Sequence, residues 1–170
     1  MLENIILSVF TSIALLAPQQ VFSQQSFNSS PLQLTGKIEK TNTKDKKSYI
    51  FSRNELKKLG VVTVNATTDY SPNTSFSGPL LSSILEFVKI NKDSTELIFT
   101  GLDGYKSRAP ISDTKKYEVI VAFNMNNKPM TIQTKGPYWI IYPIDKYKSE
   151  LNDVATSAKM VWNLVKIEVR

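Results

Sequence analysis

The chain has 170 residues and a formal net charge of +6; 41% of it is hydrophobic, 21% charged, and it holds neither Cys nor His. That is one domain's worth of ordinary globular sequence, long enough to bury a single core. The two missing residue types exclude, within this sequence, a Ser-His-Asp or Cys-His nucleophile, a disulfide, and a zinc site of the usual nitrogen and sulfur ligands. Catalysis would fall to carboxylates, Lys, Tyr or a bound cofactor, so a binding protein is the favoured class.

Ile5 to Ala17 is an uncharged apolar run, short of the roughly 20 residues that span a bilayer. Pro18 and a small-x-small Val21-Phe22-Ser23 follow it, as in a secretory signal cleaved after Ser23. Residues 1–23 are therefore expected to be an export signal and residues 24–31 a polar tether, with a folded domain over 32–170. The chain is therefore expected to be exported. Lys supplies most of the positive charge; Arg occurs only at positions 53, 108 and 170. Nucleic-acid surfaces favour the Arg fork and interleaved aromatic rings, so the Lys37–Lys47 run is read as a solvated loop.

Leu32, Leu34, Gly36 and Ile38 alternate with polar residues and predict a strand. Tyr49-Ile50-Phe51 is a second short strand, and Ser52-Arg53-Asn54-Glu55 is a capping box opening a helix that ends at Leu59-Gly60. Val61 to Val64 starts the next strand, and 66–75 reads as turn-rich. After Pro79, the spacing of Leu80, Leu81, Ile84, Leu85 and Val88 gives a helix with one buried face. Glu96–Thr100 and Tyr117–Phe123 read as core strands with a hairpin-like segment between them. Asn126 to Pro129 is a turn, Trp139–Tyr142 a strand stopped by Pro143, 152–159 a short helix, and Val161–Val169 the last strand. Many strands with a few short helices predict a single α+β domain with a mixed, mainly antiparallel sheet.

From Leu32 onward the order of these pieces resembles the molybdopterin-binding domain of sulfite-oxidase-type oxidoreductases. Phe76-Ser77-Gly78-Pro79-Leu80-Leu81 resembles that family's F-x-G-x-x-L opening of a helix, and Asp103-Gly104-Tyr105 its D-G-Y hairpin. Met125 to Met130 resembles its M-N-G-K-P-L turn, Gly136-Pro137 and Pro143 flank a strand as they do there, and Trp162 with Ile167-Glu168-Val169 resembles its closing segment. The resemblance implies the fold of that domain.

The departures bear on chemistry. Those enzymes ligate molybdenum through a Cys thiolate; the comparable stretch here is Thr67-Thr68-Asp69-Tyr70, whose oxygens poorly imitate a soft anionic ligand. Trp139 stands where the family's G-x-P-x-R strand has its phosphate-side Arg, and Val161 replaces the Lys before the closing Trp. A pterin pocket without a metal anchor is similar to an offshoot of the family: small periplasmic proteins that bind a reduced pterin without molybdenum and act on the periplasmic domain of a membrane-bound cyclic-di-GMP enzyme. The segment Lys135 to Pro143 carries most of that likeness. On this reading the protein is not an enzyme.

A pterin offers a 2-amino group and N3–H side by side, two donors that one carboxylate accepts in charge-assisted bonds. It also offers a flat face for aromatic rings and a hydroxylated tail. Asp69 or Asp103 would take the donor edge, Tyr70, Tyr105 and Trp139 would cover the face, and Lys135, Ser107 and Arg108 would meet the carbonyl or the tail. Trp162 is read as core. Two other readings stay open: a molybdopterin-dependent oxidoreductase with an unusual metal ligand, and a ligand-free interaction module.

Overall fold

The structure, a computed structural model, describes residues 30–170. The expected export signal and all but the last two residues of the tether lie outside the described residues. Eleven strands and five short helices run in the order β1 (Leu32–Gly36), β2 (Ser48–Phe51), α1 (Arg53–Lys58), β3 (Val62–Thr68), β4 (Ser71–Gly78), α2 (Leu81–Val88), β5 (Glu96–Gly101) and β6 (Lys106–Pro110). After them come α3 (Ser112–Lys116), β7 (Ile120–Ala122), β8 (Asn124–Met125), β9 (Lys128–Pro129), β10 (Trp139–Ile141), α4 (Lys148–Leu151), α5 (Val154–Lys159) and β11 (Leu164–Val169).

The strands form a five-stranded sheet in the order β2-β1-β11-β5-β6, a four-stranded sheet β3-β4-β8-β9, and the pair β10-β7. Among the described residues only β1 and β11 run parallel; the other pairings are antiparallel. The single-domain α+β expectation therefore holds. Leu32, Leu34, Phe51, Leu97, Phe99, Ile167 and Val169 turn inward from the large sheet and meet the apolar stripe of α2, where Leu81, Ile84, Leu85 and Val88 are buried. That stripe follows from the 3.6-residue period of the sequence. Ser52 caps α1 reciprocally with Glu55, and Gly60 follows at φ 93°, as the capping box and the terminal Gly require.

Four sequence expectations are corrected. The stretch 66–75 is two strand arms, not a turn-rich loop: Ala66, Thr68, Thr74 and Phe76 point inward, and the turn is only Asp69-Tyr70. The alternation was carried by small and hydroxylated residues, which a hydrophobic pattern does not register. The strand expected over Tyr117–Phe123 is confined to Ile120–Ala122, and the unforeseen α3 precedes it. A second unforeseen helix, α4, comes before α5. The final strand begins at Leu164, so Val161, Trp162 and Asn163 form an irregular approach to it.

Gly78 joins the layers. A Cβ there would sit 2.0 Å from the Val121 carbonyl oxygen, so only Gly lets β4 run this close to β7. The Phe123 N–H donates to the Ser77 carbonyl and the Val121 N–H to that of Pro79, at 2.9 and 3.0 Å. Tyr138 is buried beside the β10-β7 pair, and its hydroxyl donates to the Ser30 carbonyl at 3.0 Å. Burial pushes this phenol up to about 12, against a smaller opposing pull from the Arg53 guanidinium. A raised phenol stabilises the fold fully below its unfolded value of 10, and that stability is lost as pH rises from 10 through 12. Tyr138→Phe should therefore unfold less steeply with pH across this window in alkaline melts. Equal slopes for the two proteins would show that Tyr138 ionises freely in the folded state.

Candidate functional site

A cleft of about 340 Å³ opens where two hairpin turns face helix α5 and the approach to β11. Its lining is Asp69 and Tyr70 from the β3–β4 turn, Asp103 and Tyr105 from the β5–β6 turn, and a wall formed by residues 154–162. That size is at the lower end of small-molecule sites, which run from roughly 300 to 1,000 Å³.

Each edge is placed by local chemistry. Thr67 ties the β3–β4 turn down: its hydroxyl donates to Asp145 at 3.2 Å and accepts from the Asn73 N–H at 3.1 Å. In the β5–β6 turn, Gly104 at φ 84° and a Gly101 N–H bond to the Tyr105 carbonyl at 2.9 Å close the loop. One Asp103 oxygen accepts from the Tyr105 N–H at 3.0 Å, the ordinary work of a turn aspartate. The Tyr105 hydroxyl reaches across to the Ala158 carbonyl at 3.2 Å and joins this turn to α5.

The back of α5 is held by a nearly buried trio. The hydroxyl of Tyr142 and the ammonium of Lys159 both donate to Asp113 Oδ2, at 2.8 and 2.9 Å. Burial, and then the neighbouring Asp113 charge, drive the Tyr142 phenol well above its ordinary value. The trio ties α3, the end of β10 and α5 together, so the cleft wall has a fixed support.

The aromatic corner of the cleft is Tyr70 against Trp162, edge to face with centroids 4.9 Å apart. The Lys135 ammonium lies 3.7 Å from the Tyr70 ring centroid and 4.1 Å from that of Trp162. Such contacts contribute about 0.5–2 kcal/mol, more as they are desolvated. Asn163 sets this geometry: at φ 45° its side-chain amide donates to the Ile132 carbonyl at 3.1 Å and to the Gly136 carbonyl, while its N–H donates to the Lys135 carbonyl.

The structure thus gathers Asp69, Tyr70, Asp103 and Tyr105 at one cleft, with Lys135 behind its corner. Three other sequence candidates lie elsewhere. Trp139 is 1% exposed; its indole N–H donates to the Met160 carbonyl at 2.8 Å, and its ring packs on Phe76 and on the inner edge of Trp162. It supports the floor and does not line the cleft. Arg108 points away from the core on β6, since the strand turns its neighbour Ala109 inward, and it pairs with Glu96 at 3.5 Å beside a separate shallow hollow. Ser107 is half-buried on the same strand, outside the lining. Trp162, expected in the core, is the ring that lines the cleft; the irregular backbone ahead of Leu164 frees it from the strand's alternation.

The two carboxylates are not equivalent. Asp103 has one oxygen committed to its own turn, whereas Asp69 is exposed and its carboxylate meets no donor among the described residues. Asp69 stands next in sequence to Tyr70, so a carboxylate lies in the same cleft lining as the Tyr70–Trp162 corner.

The family relationship agrees with this fold. Residues 39–145 match the oxidoreductase molybdopterin binding domain family. In three dimensions the chain is similar to the sulfane dehydrogenase SoxCD of Paracoccus pantotrophus, with a TM-score of 0.64 at 14% identity over 85% of this chain. It spans 39% of that protein's matched chain. No curated protein matches it in sequence.

Proposed function

Because the chain belongs to the oxidoreductase molybdopterin binding domain family, we propose that it is a non-enzymatic, periplasmic binding protein for a reduced pterin, free of molybdenum. In its loaded form it regulates a membrane-bound cyclic-di-GMP enzyme through that enzyme's periplasmic domain. The ligand part rests on one observation above the others: a free carboxylate, Asp69, beside the Tyr70–Trp162 corner of an open cleft. The export and signalling parts rest on the leading apolar run and on the likeness of Lys135 to Pro143 to small pterin-binding regulators.

The residues at the cleft do not fit a molybdenum centre. The lining offers carboxylate, phenol and Ser157 hydroxyl oxygens and one thioether, that of Met160, whose sulfur already accepts from the Tyr142 N–H at 3.5 Å. Molybdenum in this family takes a thiolate, and none is present in the sequence. They do fit the heterocycle alone. Asp69 accepts the 2-amino and N3 donors, one of the perpendicular Tyr70 and Trp162 rings covers the bicycle while the other meets its edge, and the apolar side chains of Val154, Met160 and Val161 shed water from its far edge.

Anaerobic purification of the native protein from its source, followed by denaturation, tests the reading. A released fluorescent pterin at near-unit stoichiometry, with no molybdenum in the metal analysis, is the expected outcome. Molybdenum at comparable stoichiometry would instead favour a cofactor-dependent oxidoreductase.

A further inference from the structure

The charges around the cleft say more about the ligand than that it is a pterin. Proteins hold phosphate with Arg or Lys side chains, with the free N–H groups of a helix start, or with a nest of backbone amides. None of these devices is supplied by the lining. Among the described residues its only charged side chains are Asp69 and Asp103, both acidic. One helix begins at the cleft, α5, but Asp153 caps it, its carboxylate accepting the Thr156 N–H at 2.6 Å. That end is already met by a negative charge.

The nearby cations are placed elsewhere. Lys159 is bound to the nearly buried Asp113, Lys106 and Arg108 share the outward side of β6, where Lys106 lies near Glu168 and Arg108 pairs with Glu96, and Lys135 lies on the faces of Tyr70 and Trp162 without lining the cleft. In a protein of net charge +6, the cleft lining is a local exception in sign.

We infer that the cleft selects an unphosphorylated ligand, a pterin with a neutral hydroxylated tail, and rejects phosphate-bearing pterins, molybdopterin among them. This rests on the pterin reading above. A phosphate on the tail brings up to two negative charges into a partly desolvated space already holding two carboxylates, with no donor set to receive them. A neutral hydroxylated tail meets no such penalty, and Asp103, with one oxygen not used by its turn, and Ser157 are polar residues of the lining that can bond to it.

Anaerobic titration of the purified protein with tetrahydroneopterin and with its phosphate monoester tests this. The phosphate ester is expected to bind at least about tenfold more weakly. The gap should narrow in Asp103→Asn, which keeps the turn's acceptor oxygen and removes the charge, and at high salt, where the repulsion is screened. Equal or tighter binding of the phosphate ester would overturn the inference while leaving the pterin reading standing. Binding of neither compound would sink the pterin reading and the inference with it.

Discussion

Asp69→Asn should weaken tetrahydropterin binding roughly 30- to 100-fold while leaving the melting temperature unchanged. Hydrogen bonds to a charged partner contribute about 1.5–3 kcal/mol, and a carboxylate facing two parallel donors is the favourable geometry. The Asn amide can accept one of those donors, but its own NH2 opposes the other. Stability should not move, because Asp69 is exposed and its carboxylate bonds to nothing among the described residues. Asp103→Asn provides the contrast: with one oxygen already given to the Tyr105 N–H, it should change affinity for the uncharged-tail ligand only a few-fold. Isothermal titration of the two variants decides between the carboxylates. The reverse ranking would move the donor edge to the β5–β6 turn.

Asp113→Ala should lower stability by about 3 kcal/mol, which for a domain of this size is roughly 6–12 °C in melting temperature. The substitution strands two groups at once. The Lys159 ammonium, its side chain 19% exposed, and the Tyr142 hydroxyl both donate to the same Asp113 oxygen. Exchanging such a cluster for apolar residues can be neutral, but removing one partner leaves the others desolvated and unpaired. Since Lys159 ends the helix that walls the cleft, ligand affinity should fall as well, whereas Asp113→Asn, which preserves an acceptor for Tyr142, should lose less of both. A melting temperature unchanged in Asp113→Ala would mean that water replaces the carboxylate without cost.

What the sequence revealed follows from how local its signals are. The α1 capping box, the buried stripe of α2, the Gly104 turn and the alternation of β1 depend on neighbours within a few residues, and each stands in the structure. The Asp69-Tyr70 and Asp103-Tyr105 pairs are marked by the family resemblance, at its metal-ligand stretch and its D-G-Y hairpin, and the structure places both pairs at the turns of hairpins. Side-chain direction was harder. Every residue of β10 is buried, so alternation there cannot say which ring faces a cleft, and Trp139 went inward. Trp162 lies just ahead of β11, where the backbone leaves the strand pattern, so a period-two reading placed it in the core. Arg108 illustrates a third limit: its chemistry suits a carbonyl or a tail, but the parity of β6 turns it toward Glu96. The part of the inward face of β3 and β4 made of Ala66, Thr68 and Thr74 escaped notice because those residues are small or hydroxylated and carry no hydrophobic pattern.

The central claim is that this cleft binds a reduced pterin, and tryptophan fluorescence measures it most directly. The chain has two Trp residues; Trp162 lines the cleft, and Trp139 packs 6.3 Å behind it. Anaerobic titration with a tetrahydropterin should therefore quench the emission in a saturable, one-to-one manner with a dissociation constant of about 1 μM or tighter. The quench should shift to much higher ligand concentration in Asp69→Asn. Emission that stays unchanged to about 1 mM ligand in a correctly folded protein would contradict the account and leave the fold without the ligand assigned to it.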